Sequence, residues 1–271
     1  MRVALCQMNA GEDVAVNLEV AETLLREAAG GGADLAVLPE YFGYLGSSNG
    51  RREAAEPIPG PVSDRLAAAA HEHEMWVLGG GLLEASDGHV YDSVALFDRS
   101  GELVARYRKI HLYDVDLPGL PPFRESATIT PGEELVTHAT EFCRVGLSIC
   151  YDVRFPELYR GLMALGAEVL MVPAQFQYET GKDHWHTLLR ARAIENQCYV
   201  VAAGQWGRYG APEAGRRSYG HSLVADPWGR VIAEAPEEGN GVWFADLDLT
   251  ELRRIRRTFP TLQHRRLGFS C

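Results

Sequence analysis

The chain has 271 residues, of which 46% are hydrophobic and 23% are charged, so its composition is that of an ordinary globular protein. Its net charge of −11 at pH 7 argues against a nucleic-acid partner, and no apolar run approaches the ~20 residues that a membrane span needs. The N-terminus lacks the apolar segment of a signal peptide, and the five cysteines lack the spacing of a disulfide framework or a zinc site. We therefore expect a cytoplasmic protein with no membrane partner and no metal.

The first half of the chain alternates predicted strands and helices. Short apolar runs rich in β-formers predict the strands, and apolar residues that recur every three to four positions predict the helices. In chain order the predicted elements are a strand over 2–6, a helix over 14–29, a strand over 35–38, a helix over 61–73, a strand over 76–78, and a hairpin of strands 92–97 and 103–107.

From residue 144 onward the chain repeats this order with similar residues. The matched pairs are RVGLSIC (144–150) with RVALCQM (2–8), AEVLMVPAQF (167–176) with ADLAVLPEYF (33–42), CYVVAAG (198–204) with MWVLGGG (75–81), and 218–235 with the hairpin at 91–107. The helices between them are predicted over 156–165 and 182–196. Chance resemblance between apolar strands is the alternative, but the shared order and loop chemistry favour two related halves.

The apolar strands indicate how these halves pack. They are near-continuous hydrophobic runs, as expected for strands that are buried on both faces. The simplest packing places helices outside each half-sheet and packs the two sheets together, which gives a four-layer α-β-β-α sandwich in a single domain over 1–271. Sites in such sheets form at the C-terminal ends of strands. Glu40 and Cys150 both lie at such ends, and we expect them to face each other.

Cys150 ends an apolar strand at a turn that precedes a helix beginning near Pro156. Backbone N–H groups in such a turn can lower a thiol pKa and stabilise an oxyanion. A buried core thiol is the alternative, and it is our interpretation of the cysteines at 6, 143 and 198. A cysteine nucleophile also needs a base. None of the nine histidines has a distinctive local signature, and His184 and His186 do not share one helix face.

Glu40 and Lys109 are the more informative ionisable residues. Glu40 ends a buried strand after Pro39, where a carboxylate is costly unless it is paired. Lys109 is one of two lysines among 26 basic residues, which suggests that a compact ammonium is required at that place. From the residues alone, an exposed loop acid and a solvent-facing lysine remain the alternatives.

Three segments of the chain resemble a known family. LPE at 38–40, RKIHL at 108–112 and CYDVRFPE at 150–157 resemble the signature segments of the nitrilase superfamily of carbon–nitrogen hydrolases, in the order Glu, Lys, Cys. The resemblance extends over essentially the whole chain. The fold of that superfamily is also an α-β-β-α sandwich, in agreement with the packing argued from the internal repeat.

The resemblance implies a catalytic role for each of these residues. Glu40 would be the general base, and Cys150 would attack an amide carbonyl to form a thioester. Lys109 would stabilise the oxyanion together with the backbone N–H of Tyr151. Glu125 resembles the second acid of many members, which positions the lysine or the substrate. No metal or organic cofactor is implied.

The second half resembles one branch of that superfamily. SYGHS at 218–222, DPWG at 226–229 and QHRR at 263–266 resemble the branch of the deaminated glutathione amidases and ω-amidases. The implied reaction cleaves deaminated glutathione to 2-oxoglutarate and cysteinylglycine. The alternatives are ω-amidase activity on 2-oxoglutaramate, another aliphatic amidase, an N-carbamoyl hydrolase, and, from other classes, a non-catalytic binding module or a thiol-redox protein.

Further expectations concern the pocket and the assembly. An anionic substrate calls for cations, and the glycine-rich loop 204–217 offers Arg208, Arg216 and Arg217. Hydrophobic residues with a few polar groups usually line such pockets, and the residues expected to do so are Phe42, Tyr44, Gln175 and Phe176. We expect Asp152, Arg154 and Glu157 to hold the nucleophile's turn through buried ion pairs.

The resemblance implies a homodimer or larger homo-oligomer, with segments 156–165, 182–196 and 250–271 as candidate interfaces.

Overall fold

The predicted first half folds into strands and helices close to the expected positions, in a computed structural model that describes residues 1–119, 121–210 and 216–267. Within those residues, no helix combines the length and hydrophobicity needed to cross a membrane. The elements of this half are β1 (Arg2–Gln7), α1 (Val14–Gly30), β2 (Leu35–Val37), α2 (Ser48–Glu53), α3 (Pro61–Glu72), β3 (Trp76–Ser86), β4 (His89–Phe97) and β5 (Leu103–Arg108).

The second half follows the same plan after a short two-stranded ribbon. Its elements, with that ribbon first, are β6 (Asp114–Val115), β7 (Phe123–Arg124), β8 (Thr137–Ala139), β9 (Arg144–Leu147), α4 (Pro156–Ala164), β10 (Val169–Met171), α5 (Tyr178–Asn196), β11 (Tyr199–Ala202), β12 (Trp206–Arg208), β13 (Arg217–Tyr219), β14 (Leu223–Ala225), β15 (Val231–Glu234), β16 (Gly241–Asp246) and α6 (Leu249–Thr258). Two 3₁₀ turns, Glu125–Ala127 and Cys150–Arg154, carry predicted site residues.

Two six-stranded sheets have matching topologies. The first has the order β16-β1-β2-β3-β4-β5 and the second the order β15-β14-β11-β10-β9-β8. In each, three parallel strands are extended by antiparallel ones on both sides. The edge strands beside β1 and β9 were not predicted. The one beside β1 is β16, which returns from the C-terminal region to the first sheet, so the two halves are joined by backbone pairing.

Alternating side chains on β1 define the layers. Val3 and Leu5 belong to a core cluster that also contains residues of the second sheet, such as Leu147. Ala4 and Cys6 belong to a separate cluster beneath α1 and α3. The helices α4 and α5 contact the second sheet, at β9 and β11. The predicted four-layer α-β-β-α sandwich is therefore confirmed, with the sheets inside and helices outside.

Two glycines in β3 allow the two halves to approach each other. A Cβ atom on Gly80 would lie 2.4 Å from Pro173 Cβ, and one on Gly81 would lie 2.5 Å from the backbone nitrogen of Tyr41. Gly81 also has a φ of +58°, which favours glycine. We predicted that β3 ends at Leu78, but it continues through these glycines to residue 86. They bring the chain after β2 against the chain after β10, where the candidate site lies.

Candidate active site

A buried lysine lies among three acidic side chains at the end of the first sheet. Lys109 Nζ donates to Glu40 Oε1 at 2.7 Å and to the two carboxylate oxygens of Glu125 at 2.9 and 3.0 Å. Asp92 Oδ2 is 3.4 Å from the same nitrogen. All four side chains are at most 2% exposed. Burial of ionisable groups is costly unless they are paired, and Glu40 and Glu125 are both hydrogen bonded to the Lys109 ammonium.

Glu40 is held from both halves. It follows β2, and its Oε2 accepts a hydrogen bond from the backbone N–H of Gln175, which follows β10, at 2.5 Å. Its backbone carbonyl accepts from Gln205 Nε2 at 3.0 Å. The carboxylate thus has one oxygen on the Lys109 ammonium and the other on a backbone donor, which fixes its plane.

Glu125 is placed as a partner of Lys109. It begins a 3₁₀ turn, and its carboxylate also accepts from the Tyr41 hydroxyl and from the backbone N–H of Tyr113, both at 2.6 Å. Burial alone would raise the pKa of Glu125, but the Lys109 charge and these hydrogen bonds outweigh burial and hold the pKa below its usual range. Glu125 is therefore ionised, and it fixes the position of the ammonium.

Asp92 in β4 is a buried acid that sequence reasoning missed. Neither of its carboxyl oxygens has a hydrogen-bond partner among the described residues. Burial, and then the nearby charge of Glu40, raise the pKa of Asp92 well above its ordinary value. Burial lowers the pKa of Lys109, but the surrounding carboxylates outweigh it and keep the lysine charged. Asp92 is thus the acid of this cluster that keeps its proton.

Cys150 lies at a turn that projects its side chain from the second sheet. Its φ of +44° places a non-glycine residue in the left-handed region, which is sparsely populated and occurs at functional sites. Its backbone N–H donates to Pro173 O at 2.9 Å, and its Sγ lies 3.6 Å from Gln175 O. The predicted turn between strand and helix is therefore present, as a short 3₁₀ segment before α4.

Asp152 connects this turn to the segment that carries the lysine. Its Oδ2 accepts from the Tyr107 hydroxyl at 2.6 Å and from the backbone N–H of Ile149 at 2.9 Å. Its Oδ1 accepts from the backbone N–H of His111 at 3.1 Å. Asp152 is fully buried. It fixes the distance between the nucleophile's turn and the chain on either side of Lys109.

The Cys150 thiol is protonated at rest. Burial, and then the charge of Glu40, raise the pKa of this thiol well above its ordinary value, and the Lys109 ammonium only partly opposes them. The expectation that the turn lowers the thiol pKa is wrong, because burial beside a carboxylate outweighs the effect of the ammonium. A nucleophilic role for this sulfur would therefore require a base that removes the proton.

One cavity contains these groups. It is partly open, and the space between its walls, including the solvent at its mouth, is about 340 Å³. Its wall combines ionisable groups with aromatic rings. The lining residues are Glu40, Tyr41, Arg51, Lys109, Tyr113, Phe123, Glu125, Cys150, Tyr151, Arg154, Gln175, Phe176, Gln177 and Thr180.

Two of the predicted pocket residues lie elsewhere. Phe42 and Tyr44 line a second cavity, together with Ile58 and neighbouring apolar residues. The reason is a left-handed residue, Tyr41, with a φ of +59°. The chain turns there, so that Tyr41 enters the Cys150 cavity and Phe42 faces the core. Gln175 and Phe176, their counterparts in the second half, do line the Cys150 cavity.

The predicted cations also need correction. Arg217 pairs with Glu237 and with Glu238, the latter at 2.7 Å, and it is not among the lining residues. Its ion pairs hold it at the surface, because two carboxylates there satisfy its charge. Arg208 is exposed on β12. The described arginines that line the cavity are instead Arg51 and Arg154.

Two residues expected to hold the turn through buried ion pairs do not do so. Glu157 is exposed in the first turn of α4. Arg154 lines the cavity with its guanidinium 4.9 Å from the centre of the Phe176 ring, and it hydrogen bonds to His184 at 3.1 Å. Asp152 alone of the three is buried as predicted.

Among the residues that the structure describes, two groups of side chains are close enough to share a metal ion. The first is Glu40, Asp92 and Glu125, whose common neighbour is the Lys109 ammonium. The second group is His186, His221 and Glu234, in which both imidazoles contact the same Glu234 oxygen, at 2.9 and 2.8 Å. The lysine supplies the charge that a cation would supply in the first group.

A comparison with family models finds one match that covers most of the chain. The model described as carbon-nitrogen hydrolase matches residues 2–257. That span contains both sheets, the Lys109 cluster and the Cys150 turn.

Comparisons with individual proteins agree with this family match. The chain is 43% identical over 271 residues to the deaminated glutathione amidase of Bos taurus, covering 97% of this chain and 81% of the relative. It is 38% identical over 265 residues to omega-amidase NIT2 of Mus musculus, covering 98% and 95%. Among solved structures, the C. elegans NitFhit protein matches with a TM-score of 0.90 at 38% identity. That match covers 98% of this chain, which spans 65% of the longer NitFhit chain.

Proposed function

The chain belongs to the carbon–nitrogen hydrolase family and is an amidohydrolase, and we propose that it hydrolyses a linear amide through a thioester on Cys150. The observation that carries this mechanism is the common cavity, in which a protonated thiol lies with a carboxylate and an ammonium that are hydrogen bonded to each other. Nucleophile, base and electrophilic cation are the three groups that acyl transfer requires.

Acylation proceeds in two steps. Glu40 takes the proton of the Cys150 thiol as the sulfur attacks the amide carbonyl carbon, and the carbonyl electrons move onto oxygen. Lys109 Nζ and the backbone N–H of Tyr151 stabilise that oxyanion. When the tetrahedral intermediate collapses, the C–N bond breaks and Glu40 returns the proton to the leaving amine. The acyl group remains on sulfur as a thioester.

Deacylation repeats the sequence with water. Glu40 takes a proton from a water molecule, whose oxygen attacks the thioester carbonyl. The second tetrahedral intermediate collapses with cleavage of the C–S bond, and the sulfur takes the proton back from Glu40. The products are a carboxylic acid and the regenerated thiol. Glu125 remains ionised throughout, and it acts by positioning Lys109.

The first candidate substrate is deaminated glutathione, with 2-oxoglutaramate as the alternative. The relatives that match over nearly the whole chain are named for deaminated glutathione amidase and omega-amidase activities. Both substrates carry the same 2-oxo acyl group and differ in the leaving group. Because the Cys150 cavity is partly open, we place that acyl group inside it and the larger leaving group at its mouth.

Steady-state hydrolysis of the two substrates, measured side by side through 2-oxoglutarate release, tests this assignment. Cys150→Ala is the blank. We expect a kcat/KM at least about tenfold higher for deaminated glutathione, which corresponds to ~1.4 kcal/mol of transition-state binding. The reverse preference would make the protein an ω-amidase. Turnover of neither substrate, with Cys150 still alkylated by a thiol reagent, would keep the nucleophile and discard the substrate class.

The proposal includes a homo-oligomer in a reducing compartment, the cytoplasm. The described cysteines, Cys6, Cys143, Cys150 and Cys198, are all free, and the mechanism requires a free thiol. An apolar patch in the second half supports self-association, since exposed apolar groups often mark interfaces. Its members are Ile194, Trp228 and Phe259, each about half exposed, with the last two rings 5.5 Å apart.

A further inference from the structure

Arg51 is a buried cation in the cavity that holds Cys150. It lies in α2, a short helix that was not predicted, and it is 2% exposed. No carboxylate lies within ion-pair distance of it among the described residues. Its Nε atom has no hydrogen-bond partner there either. A buried guanidinium normally has its donors satisfied, because leaving them unmade is costly.

The surroundings of Arg51 keep it charged without pairing it. Its guanidinium lies over the Tyr41 ring at 4.5 Å and over the Phe123 ring at 5.4 Å, and both rings also line the cavity. Burial lowers the pKa of Arg51, but the nearby Tyr41 and the charge of Glu125 outweigh burial and raise it above its ordinary value. The aromatic rings fix the plane of the guanidinium and leave its polar edge for another partner.

We infer that Arg51 binds a carboxylate on the acyl part of the substrate, inside the cavity and beyond the reacting carbonyl. The inference rests on the proposed function, since it names the residue that selects the proposed anionic substrates. A planar guanidinium can form two parallel hydrogen bonds to a carboxylate. Without such a cation, a substrate carboxylate would be repelled by ionised Glu125, which lines the same cavity.

Arg154 and Arg216 contribute positive charge near the same place. Arg154 also lines the cavity, and one of its nitrogens, Nη1, is bonded to His184. Arg216 lies over the Phe123 ring at 4.6 Å. Both are partly exposed. Arg51 differs from them in its depth and in its unpaired Nε, so it is the arginine that discriminates between charged and neutral acyl groups.

The test compares two amides that differ in one group. Glutaramate carries a carboxylate where glutaramide carries a second, neutral amide. We expect the wild-type kcat/KM to favour glutaramate, and Arg51→Met to lower the glutaramate-to-glutaramide ratio by about 10- to 100-fold, as for loss of a charged hydrogen bond. Arg51→Lys keeps the positive charge but cannot form two parallel hydrogen bonds to a carboxylate. Its glutaramate-to-glutaramide ratio should therefore lie between those of the wild type and Arg51→Met. Arg52→Met is the control, because Arg52 is exposed on the same helix and donates to Ala127 O.

The outcomes separate this inference from the proposed function. If the wild type prefers glutaramate and Arg51→Met lowers both rates equally, Arg51 is a structural residue and the inference fails while the function stands. If the wild type shows no preference for glutaramate, the inference fails, whereas the proposed function still depends on hydrolysis of deaminated glutathione and 2-oxoglutaramate. If Arg51→Met does not fold, Arg51→Lys decides: an unchanged ratio overturns the inference, and a lowered ratio with normal thermal unfolding supports it.

Discussion

Cys150 and Met8 occupy equivalent places in the two halves, each at the end of the first parallel strand of its sheet. Cys150 lines the cavity, whereas Met8 is a fully buried core residue. Glu40 and Ala174 follow equivalent strands, and here the first half carries the ionisable group. The two similar halves thus place two sets of strand ends together, and each half carries different ionisable or nucleophilic groups at them.

This division has a physical reason. The carboxylates and the lysine of the first half stabilise one another as a buried cluster, while the thiol of the second half is neutral at rest. Hydrogen bonds across the halves then fix their relative positions. Gln175 N–H binds Glu40, and Asp152 binds Tyr107. A site assembled in this way depends on the packing of the two sheets for its catalytic distances.

The largest expected effect comes from replacing Cys150, the nucleophile that the second half contributes to the site. Cys150→Ala removes the attacking atom, so turnover should fall by at least about 10⁴-fold while the thermal unfolding transition is kept. Met8→Leu is the matched control at the equivalent place, and it should leave activity within a few-fold, because a volume-conserving change in the core is tolerated. Steady-state amide hydrolysis measures both. Substantial turnover in Cys150→Ala would show that the thioester route is wrong.

The internal repeat made much of this architecture predictable. Matching strand order and near-continuous apolar runs predicted the sandwich, and the strand ends predicted that Glu40 and Cys150 meet. Lys109 was predicted from its rarity and then from the resemblance. These predictions succeeded because they rest on side-chain period and on position along strands, which a sequence displays directly.

Other features depend on backbone turns and on long-range contacts. Phe42 and Phe176 are equivalent in sequence, yet the left-handed φ of Tyr41 sends Phe42 into the core. Asp92 looks like the polar first residue of a strand until the fold places it beside Lys109. Arg51 lies in a loop-like stretch with no apolar period, so nothing in its neighbours indicated burial. The placement of Phe42 depends on a local turn, whereas Asp92 and Arg51 depend on partners that are distant in the chain.

The second largest effect is expected from replacing Lys109, the buried cation of the first half. Lys109→Met should lower kcat by about 10²- to 10³-fold through loss of an oxyanion donor. It should also lower the free energy of unfolding by about 3–5 kcal/mol, because Glu40 and Glu125 would be left buried without their counter-ion. Urea unfolding of the variant measures the second quantity.

A double variant gives the control for this effect. Adding Glu125→Gln to Lys109→Met removes one of the two orphaned charges, so part of the lost stability should return while activity stays low. If the double variant were less stable than Lys109→Met, the stability loss would come from packing of the lysine stem instead of from uncompensated charge.

The smallest expected effect is a change in the pH dependence of the free energy of unfolding when Asp92 is replaced. Because the pKa of Asp92 is raised in the folded protein, the folded state keeps a proton that the unfolded chain releases above about pH 4. The free energy of unfolding therefore falls as pH rises above that value, by up to ~1.4 kcal/mol per pH unit. Asp92→Asn has no such proton, so its stability relative to wild type should improve steadily between pH 5 and pH 8. Urea unfolding at several pH values measures this difference.

Asp98→Asn is the control with the opposite sign. Asp98 is partly exposed. Burial raises its pKa, but hydrogen bonds from Ser100 and from the Glu102 backbone together outweigh burial and lower the pKa. Its contribution to stability is therefore present above about pH 4 and is lost on acidification. Asp98→Asn should therefore be destabilised at neutral pH, by an amount that shrinks as pH falls. If Asp92→Asn behaved like Asp98→Asn, Asp92 would be ionised in the folded protein. The Lys109 cluster would then hold three carboxylates around one ammonium, and Glu40 would have to act as a base beside a second negative charge.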